Sequence, residues 1–222
     1  MKQISDQRKR QEGRGTGTEK DYKPYIQARE VNCSNPIDWK TGRTVELLSQ
    51  GESALWHILR WDDDVVDIRE QYPLDLKQTF KISGKLGIQH PGKNPMTTDL
   101  LATMRDGRLI AYSLKPSKAV LNNKRTVEKL FLEKMYWTKQ NVEFRLIFKS
   151  DINMTLYHNI RLVVEFYDAK FVHDDASVLK HLIATKQVSV NMESAILSIR
   201  KLKPIYEKEI AIWRRNSMSV TF

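Results

Sequence analysis

Three residues on one segment have types and spacing that suit chemistry on a phosphodiester. Asp99, Ser113 and Lys115 follow the pattern D–x(n)–(D/E/Q)–x–K of metal-dependent nucleases, with Ser at the middle position. Mg²⁺ prefers oxygen ligands and keeps several waters, so one or two carboxylates are enough to hold it. The ion polarises the phosphate and lowers the pKa of the attacking water. A lysine beside it can orient that water or stabilise the phosphate charge. Because Asp and Lys are common residues, the pattern by itself is unspecific.

The elements that carry this pattern make it more specific. Residues 97–104 and 109–116 have the composition of strands, and the Asp-Gly pair between them is a hairpin signal. Asp99 then lies at the start of the first strand and Lys115 at the end of the second. Since an antiparallel hairpin brings those two ends together, we expect both side chains at one end of a sheet, within reach of Glu52.

Glu52 is the candidate for a second carboxylate. The letters SQGE before SALWHILRW predict a helix over about residues 50–61, with Ser49 or Gly51 as its N-cap. Glu52 precedes the first apolar residues of the helix by three and four positions and so shares their inward side. A buried carboxylate needs a partner or a metal. The helix dipole also favours an acid near the amino terminus, and spacing alone favours that simpler explanation.

The remaining elements complete an α/β core. Residues 65–74 read as a strand that ends at a proline, residues 121–141 as an amphipathic helix, and residues 142–149 as a further strand. The predicted order is helix, strand, hairpin, helix, strand. This order is typical of a sheet flanked by helices.

Residues 75–96 are predicted to form a long polar connection, rich in Lys, Gly and Pro. Structureless connections of this length are uncommon in compact domains and are often functional. Lysines on such a loop suit phosphate contacts. The candidates for DNA binding on this connection and just after the hairpin are Lys77, Lys81, Lys85, Lys93 and Lys118.

Composition and charge narrow the class of protein. The 222 residues carry a formal net charge of +10 and a pI near 9.6. The excess is concentrated in residues 77–150, which hold 15 Lys and Arg against 5 Asp and Glu. A basic region next to an acidic one suits a phosphate-binding surface beside a carboxylate-lined metal site, although a solubilising surface charge explains the pI equally well. The sequence shows no apolar run of membrane-spanning length and no secretory leader, and Cys33 alone excludes a disulfide framework.

The composition and the hydrophobic pattern change along the chain and predict three parts. Residues 1–20 read as a flexible basic arm, residues 21–150 as the catalytic domain, and residues 151–222 as a small, mainly helical domain. Short helices suit a winged-helix unit that binds DNA or an adaptor that binds protein. They are predicted at residues 154–167, 175–186, 191–202 and 204–215.

The stretches KDYKPYI, KTGRTVELLSQGE, VVDIREQYPL, MTTDLL, SLKPS and RTVEKLFLEKMYW resemble the TnsA family of transposon endonucleases. The likeness covers about residues 13–150 and fades afterwards. It implies a restriction-endonuclease-like core, a mixed sheet flanked by helices, followed by a small helical domain that resembles a winged helix. The short second domain is similar to that of the CRISPR-associated members.

The resemblance also implies roles for single residues. Glu52, Asp99 and Lys115 match the family's catalytic Glu, Asp and Lys, and the metal would be held by Glu52, Asp99 and Ser113. A member of the family carries Gln where this chain has Ser113, so Ser113 is expected to contribute through its backbone carbonyl. Glu133 is a candidate supporting acid behind these groups, although a solvated helix face is the favoured interpretation.

The function implied is a Mg²⁺-dependent DNA endonuclease, with Mn²⁺ able to substitute, that cuts the 5′ strands at transposon ends in the bacterial cytoplasm. Its partners would be double-stranded DNA, a DDE transposase (TnsB) and an AAA+ regulator (TnsC). The regulator would be contacted through the helical domain and its basic Trp213-Arg214-Arg215 tail, and would link the enzyme to target-selection proteins. The alternatives are a stand-alone restriction or repair nuclease of the same fold and a non-catalytic DNA-binding adaptor.

Overall fold

The protein was analysed as a computed structural model that describes residues 17–18, 22, 24–26 and 34–218. The predicted basic arm at residues 1–20 lies almost wholly outside these residues. The chain divides into two compact units, Met1–Ile152 and Asn153–Phe222. No helix in the described part is long and apolar enough to cross a membrane.

Within the described residues of the first unit, four strands form one mixed sheet in the order β1-β2-β3-β4. The strands are β1 (Val65–Pro73), β2 (Thr97–Met104), β3 (Leu109–Lys115) and β4 (Glu143–Phe148). The β1–β2 and β2–β3 pairs are antiparallel, and β3–β4 is parallel. The predicted hairpin is confirmed, and Gly107 in its turn has φ +84°, a conformation that glycine adopts without strain.

Helices cover this sheet and supply the rest of the core. They are α1 (Gln50–Trp61), α2 (Leu76–Leu86) and α3 (Lys124–Thr138). Ser49 caps α1 by accepting a hydrogen bond from the Glu52 amide, as the sequence predicts. Apolar side chains of the sheet pack against α2 and α3 in a cluster that contains Leu74, Ile82, Leu101, Ala111, Leu132, Tyr136 and Trp137. The predicted α/β architecture with a mixed sheet flanked by helices is confirmed.

The prediction of a structureless connection over residues 75–96 is wrong in its first half. The Asp75 side chain caps the start of α2 by accepting from the Gln78 amide at 2.7 Å, and Gly87 ends the helix with φ +65°. The helix buries only a narrow stripe that includes Thr79 and Ile82. Because most of the other positions are polar and several are lysines, the helical spacing of the few buried residues was not recognised in the sequence.

The second unit contains α4 (Met154–Val164), α5 (Asp175–Ala184), α6 (Ile199–Leu202) and α7 (Glu207–Met218). The helical character is confirmed, and residues 153–218 contain no strand that would form a wing. The predicted helix at 191–202 is wrong over most of its length. There the Asn159 side chain donates to the carbonyls of Met192 and Ala195 and accepts from the Leu197 amide. These long-range bonds take the place of helical ones.

Candidate active site

The β2–β3 hairpin brings Asp99 and Lys115 together at one end of the sheet. Oδ2 of Asp99 lies 3.7 Å from Nζ of Lys115. The same oxygen accepts a hydrogen bond from the Leu114 amide at 2.6 Å, which fixes the carboxylate against the neighbouring strand. Both side chains keep partial exposure, 19% for Asp99 and 26% for Lys115, so a ligand can reach them.

Glu52 comes to this pair from the first turn of α1, and it is 7% exposed. Its Oε2 accepts from the Leu48 amide at 3.0 Å, and its Oε1 accepts from the Ser49 hydroxyl at 3.1 Å. Glu52 therefore stabilises the amino terminus of α1, which agrees with its explanation as an acid placed there by the helix dipole. It also lies close enough to Asp99 for their charges to interact.

Glu133 of α3 is the third acid at the site. It is buried, at 4% exposure, and accepts a hydrogen bond from the Thr98 hydroxyl at 2.8 Å. The Trp137 indole N–H donates to the same hydroxyl at 2.7 Å. The interpretation of Glu133 as part of a solvated helix face is thus wrong. Leu130, Glu133 and Trp137 share the side of α3 that packs on the sheet, and all three are buried.

The acids perturb one another. Burial, together with the charge of Asp99, raises the pKa of Glu52 from about 4.5 to about 7, against the opposing bonds from Leu48 and Ser49. Burial and the same charge raise the pKa of Glu133 to about 7, although Lys115 opposes the shift. Burial raises the pKa of Asp99 as well, opposed chiefly by Lys115. Buried acids that lie close together disfavour one another's ionised forms, and a bound cation would remove this penalty.

Ser113 lies between the lysine and Glu133. Nζ of Lys115 donates to the Ser113 hydroxyl at 3.1 Å, and this hydroxyl lies close enough to Glu133 to oppose the rise in its pKa. At 1% exposure the Ser113 side chain has no free surface of its own. Its side chain therefore orients Lys115 and Glu133.

Gln71 of β1 is a site residue that the sequence analysis did not identify. Its amide nitrogen donates to Oε2 of Glu52 at 3.1 Å, and its amide oxygen accepts from the Thr97 hydroxyl at 3.1 Å. The available signal was a polar residue inside an otherwise buried strand, in the stretch DIREQYPL. A buried polar residue in a strand is a weak signal for a functional site. The neighbouring Glu70 is also buried, but it pairs with Arg43 and takes no part in the site.

These groups surround a cleft of about 660 Å³. Asp99, Lys115, Glu133 and Gln71 line it, whereas Glu52 is absent from its described lining. Of the predicted DNA-binding residues, Lys93 lines the cleft. Lys129 lines it too, and the sequence analysis missed this residue.

The other predicted DNA-binding lysines lie outside the cleft. Lys77, Lys81 and Lys85 follow one another at helical spacing on the exposed side of α2, and we call them the lysine stripe. None of the three forms an ion pair with a residue in the described ranges. Lys118 is exposed on a 3₁₀ turn (Lys118–Asn122), with its Nζ 5.9 Å from the centre of the Phe148 ring.

A mixed sheet with a Glu on the first helix and an Asp and a Lys at the end of a hairpin defines a nuclease of the restriction-endonuclease-like class. Residues 62–149 match the model of the TnsA-like endonuclease N-terminal family. The chain is 35% identical over 190 residues to the Tn7 transposition protein TnsA of Escherichia coli. The alignment covers 81% of this chain and 68% of that protein.

The protein therefore belongs to the TnsA family, and it is an endonuclease subunit of a DNA transposition system. The family model ends at residue 149, where the sequence analysis expects the likeness to fade. An alignment that covers 81% of the chain must extend into the second unit.

Proposed function

We propose that the protein is a Mg²⁺-dependent endonuclease that cuts the 5′ strands at transposon ends. The observation that carries the proposal is the Asp99–Lys115 pair, held at 3.7 Å in an accessible cleft, with the buried Glu52 close enough for its charge to interact with Asp99. A carboxylate pair with a lysine is the minimal set for hydrolysis of a phosphodiester with a hard cation.

The donor set fits Mg²⁺. The oxygens of Asp99 and Glu52 and the backbone carbonyl of Ser113 would hold the ion, and Mn²⁺ would substitute. No cluster of three or more acidic, His or Cys side chains among the described residues could enclose a metal. Mg²⁺ binds through one or two carboxylates and keeps several of its waters, so Asp99 and Glu52 would be enough to hold it. When bound, the ion supplies Lewis acidity toward the phosphate and a more acidic water.

The protein's own groups then orient the reaction. The Lys115 ammonium is aimed by the Ser113 hydroxyl and the Leu114 carbonyl, at 3.1 and 2.9 Å. There it can hold the attacking water and stabilise the negative charge that develops on the phosphate. Glu133 supports this arrangement from behind through Ser113, and its pKa near 7 lets it exchange a proton near neutral pH.

In the transposition reaction, a DDE transposase (TnsB) would cut and join the 3′ strands while this subunit cuts the 5′ strands. An AAA+ regulator (TnsC) would join the pair to target-selection proteins, which would include a CRISPR complex in systems of that kind. The helical second unit, with the predicted Trp213-Arg214-Arg215 contact, would bind the regulator. These steps place the enzyme on DNA in the bacterial cytoplasm.

The test uses the complete reaction, with the partner transposase and a donor plasmid that carries both ends. Asp99→Ala should leave 3′ cutting and joining intact and convert simple insertions into cointegrates. Asp106→Ala is the matched control, because Asp106 is an exposed acid in the turn of the same hairpin, 53% exposed. It should give simple insertions like the wild type.

Each alternative predicts a different result. Simple insertions at normal frequency from Asp99→Ala would refute the assigned site. DNA cleavage by the purified subunit alone, without its partners, would favour the stand-alone nuclease. Salt-sensitive DNA binding with no cleavage at all, indifferent to Glu52, Asp99 and Lys115, would favour the adaptor.

A further inference from the structure

One residue of the site has a backbone conformation that its secondary structure does not explain. Among the described residues, three that are not glycine have a positive φ: Gln71 at 45°, Asn141 at 55° and Lys186 at 58°. Asn141 and Lys186 follow the ends of α3 and α5, where a left-handed residue commonly terminates a helix. Gln71 lies inside strand β1 instead.

The position of Gln71 in the sheet is opposite Asp99. The pairs on either side, Glu70 with Leu100 and Tyr72 with Thr98, are regular, and the pair between them would be Gln71 with Asp99. The left-handed turn interrupts the ladder at that point, and the Gln71 carbonyl accepts from the Tyr25 amide at 3.1 Å instead. Side chains with a Cβ avoid this conformation, so its persistence at a site points to a functional constraint.

The side chain is held in one orientation. The Thr97 hydroxyl donates to the Gln71 amide oxygen at 3.1 Å, so the NH₂ group must point the other way. That group donates to Oε2 of Glu52 at 3.1 Å and lies close enough to the Asp99 carboxylate to oppose the rise in its pKa. Gln71 is 5% exposed, and water therefore does not compete for these bonds.

We propose that Gln71 is a positioning residue that uses a left-handed backbone to bridge Glu52 and Asp99, and so presets the two carboxylates for a divalent cation. The two acids come from α1 and β2, which are far apart in the chain, and they repel each other when ionised. An amide with two donors can hold both without adding charge. This inference rests on the proposed function, because it assigns Glu52 and Asp99 to the cation.

The test measures the binding of Mn²⁺ alone to the full chain, without DNA, by titration calorimetry. Gln71→Met keeps the bulk and the left-handed strain but removes the amide. Gln71→Gly removes the amide and relieves the strain. Residues that orient metal ligands typically contribute 10- to 100-fold to affinity, and we expect both variants to bind Mn²⁺ about 10- to 100-fold more weakly than the wild type.

Thermal unfolding in a chelator separates this role from a structural one. Gln71→Gly should melt at a higher temperature than Gln71→Met, because glycine adopts positive φ freely whereas methionine retains the strain. Asn141→Gly is the matched control: it makes the same backbone change in the same unit, outside the site. It should leave Mn²⁺ affinity unchanged.

Mn²⁺ affinity of Gln71→Gly within about twofold of the wild type would overturn the inference. The wild type and Asp99→Ala are measured alongside to separate the two proposals. If the wild type binds and Asp99→Ala does not, the metal site stands whatever Gln71 does. A wild type that binds no Mn²⁺ would overturn both the metal site and the role of Gln71.

Discussion

Glu52 should make the metal-free protein less stable as the pH rises. Its pKa in the folded protein is about 7, against about 4.5 for an ordinary glutamate. Below pH 4.5 the group is protonated in both the folded and unfolded chains, so it contributes no difference. Between pH 4.5 and 7 the unfolded chain releases the proton while the folded chain retains it, and the free energy of unfolding therefore falls. Above about pH 8 the effect is constant.

The size of this effect follows from the shift. Each pKa unit corresponds to about 1.4 kcal/mol, so a displacement from about 4.5 to about 7 amounts to about 3–4 kcal/mol. Most of it falls between pH 5 and 8. Glu52→Gln removes the charge but keeps an oxygen that can accept from the Leu48 amide, and this variant should lose less stability over the same range.

The assay is urea unfolding at pH 5, 6, 7 and 8 in a chelator, followed by tryptophan fluorescence. Four of the five tryptophans, all but Trp213, lie in the first unit, so the signal reports mainly on the fold that carries the site. Glu143→Gln is the matched control, because Glu143 is exposed and its hydrogen bond with Arg145 lowers its pKa. That control should follow the wild type throughout.

Equal loss of unfolding free energy by the wild type and Glu52→Gln between pH 5 and 8 would refute the reasoning. It would mean that Glu52 is solvated and independent of Asp99. The site would then lack the desolvated carboxylates on which the proposed metal binding depends. Glu133 contributes in the same direction, so the comparison of variants, rather than the wild-type slope alone, decides the result.

Two further predictions concern stability and DNA binding. Arg43 and Glu70 are 3% and 0% exposed and are joined by two hydrogen bonds of 2.6 Å. Arg43→Met removes both bonds and leaves the buried Glu70 charge without its counter-ion, so the free energy of unfolding, measured with urea, should fall by about 3–5 kcal/mol. Arg108→Met breaks an exposed pair and should cost less than about 1 kcal/mol; a similar cost for both would contradict the prediction. Replacing the lysine stripe with Ala should reduce the slope of log affinity for duplex DNA against log salt by about 3, and an unchanged slope would show that α2 does not touch phosphates.

The hairpin part of the site could be predicted because its geometry is local. An Asp-Gly turn and alternating strands determine which residues of β2 and β3 meet, whatever packs around them. Asp99 and Lys115 therefore came together as expected, and the letters before α1 predicted the start of the helix, with Ser49 as one of two candidate N-caps.

The rest of the site depends on packing between distant segments. Whether Glu133 is solvated or buried is decided by which side of α3 lies on the sheet, and that side is chosen by Leu130, Leu132 and Trp137 together. Helix α2 escaped prediction for the same reason. Its buried stripe is narrow, and only contact with the sheet shows which residues form it.

The sequence by itself determined the main elements of the core, the identity of the acid and the lysine at the hairpin, and the concentration of positive charge in residues 77–150. Only the tertiary structure decided that Glu133 is buried near Asp99 rather than solvated, and that Gln71 of the strained strand β1 donates a hydrogen bond to Glu52. The physical reason is that a carboxylate's chemistry depends on its burial and on the charges within a few ångströms. Those neighbours come from parts of the chain that no local pattern connects.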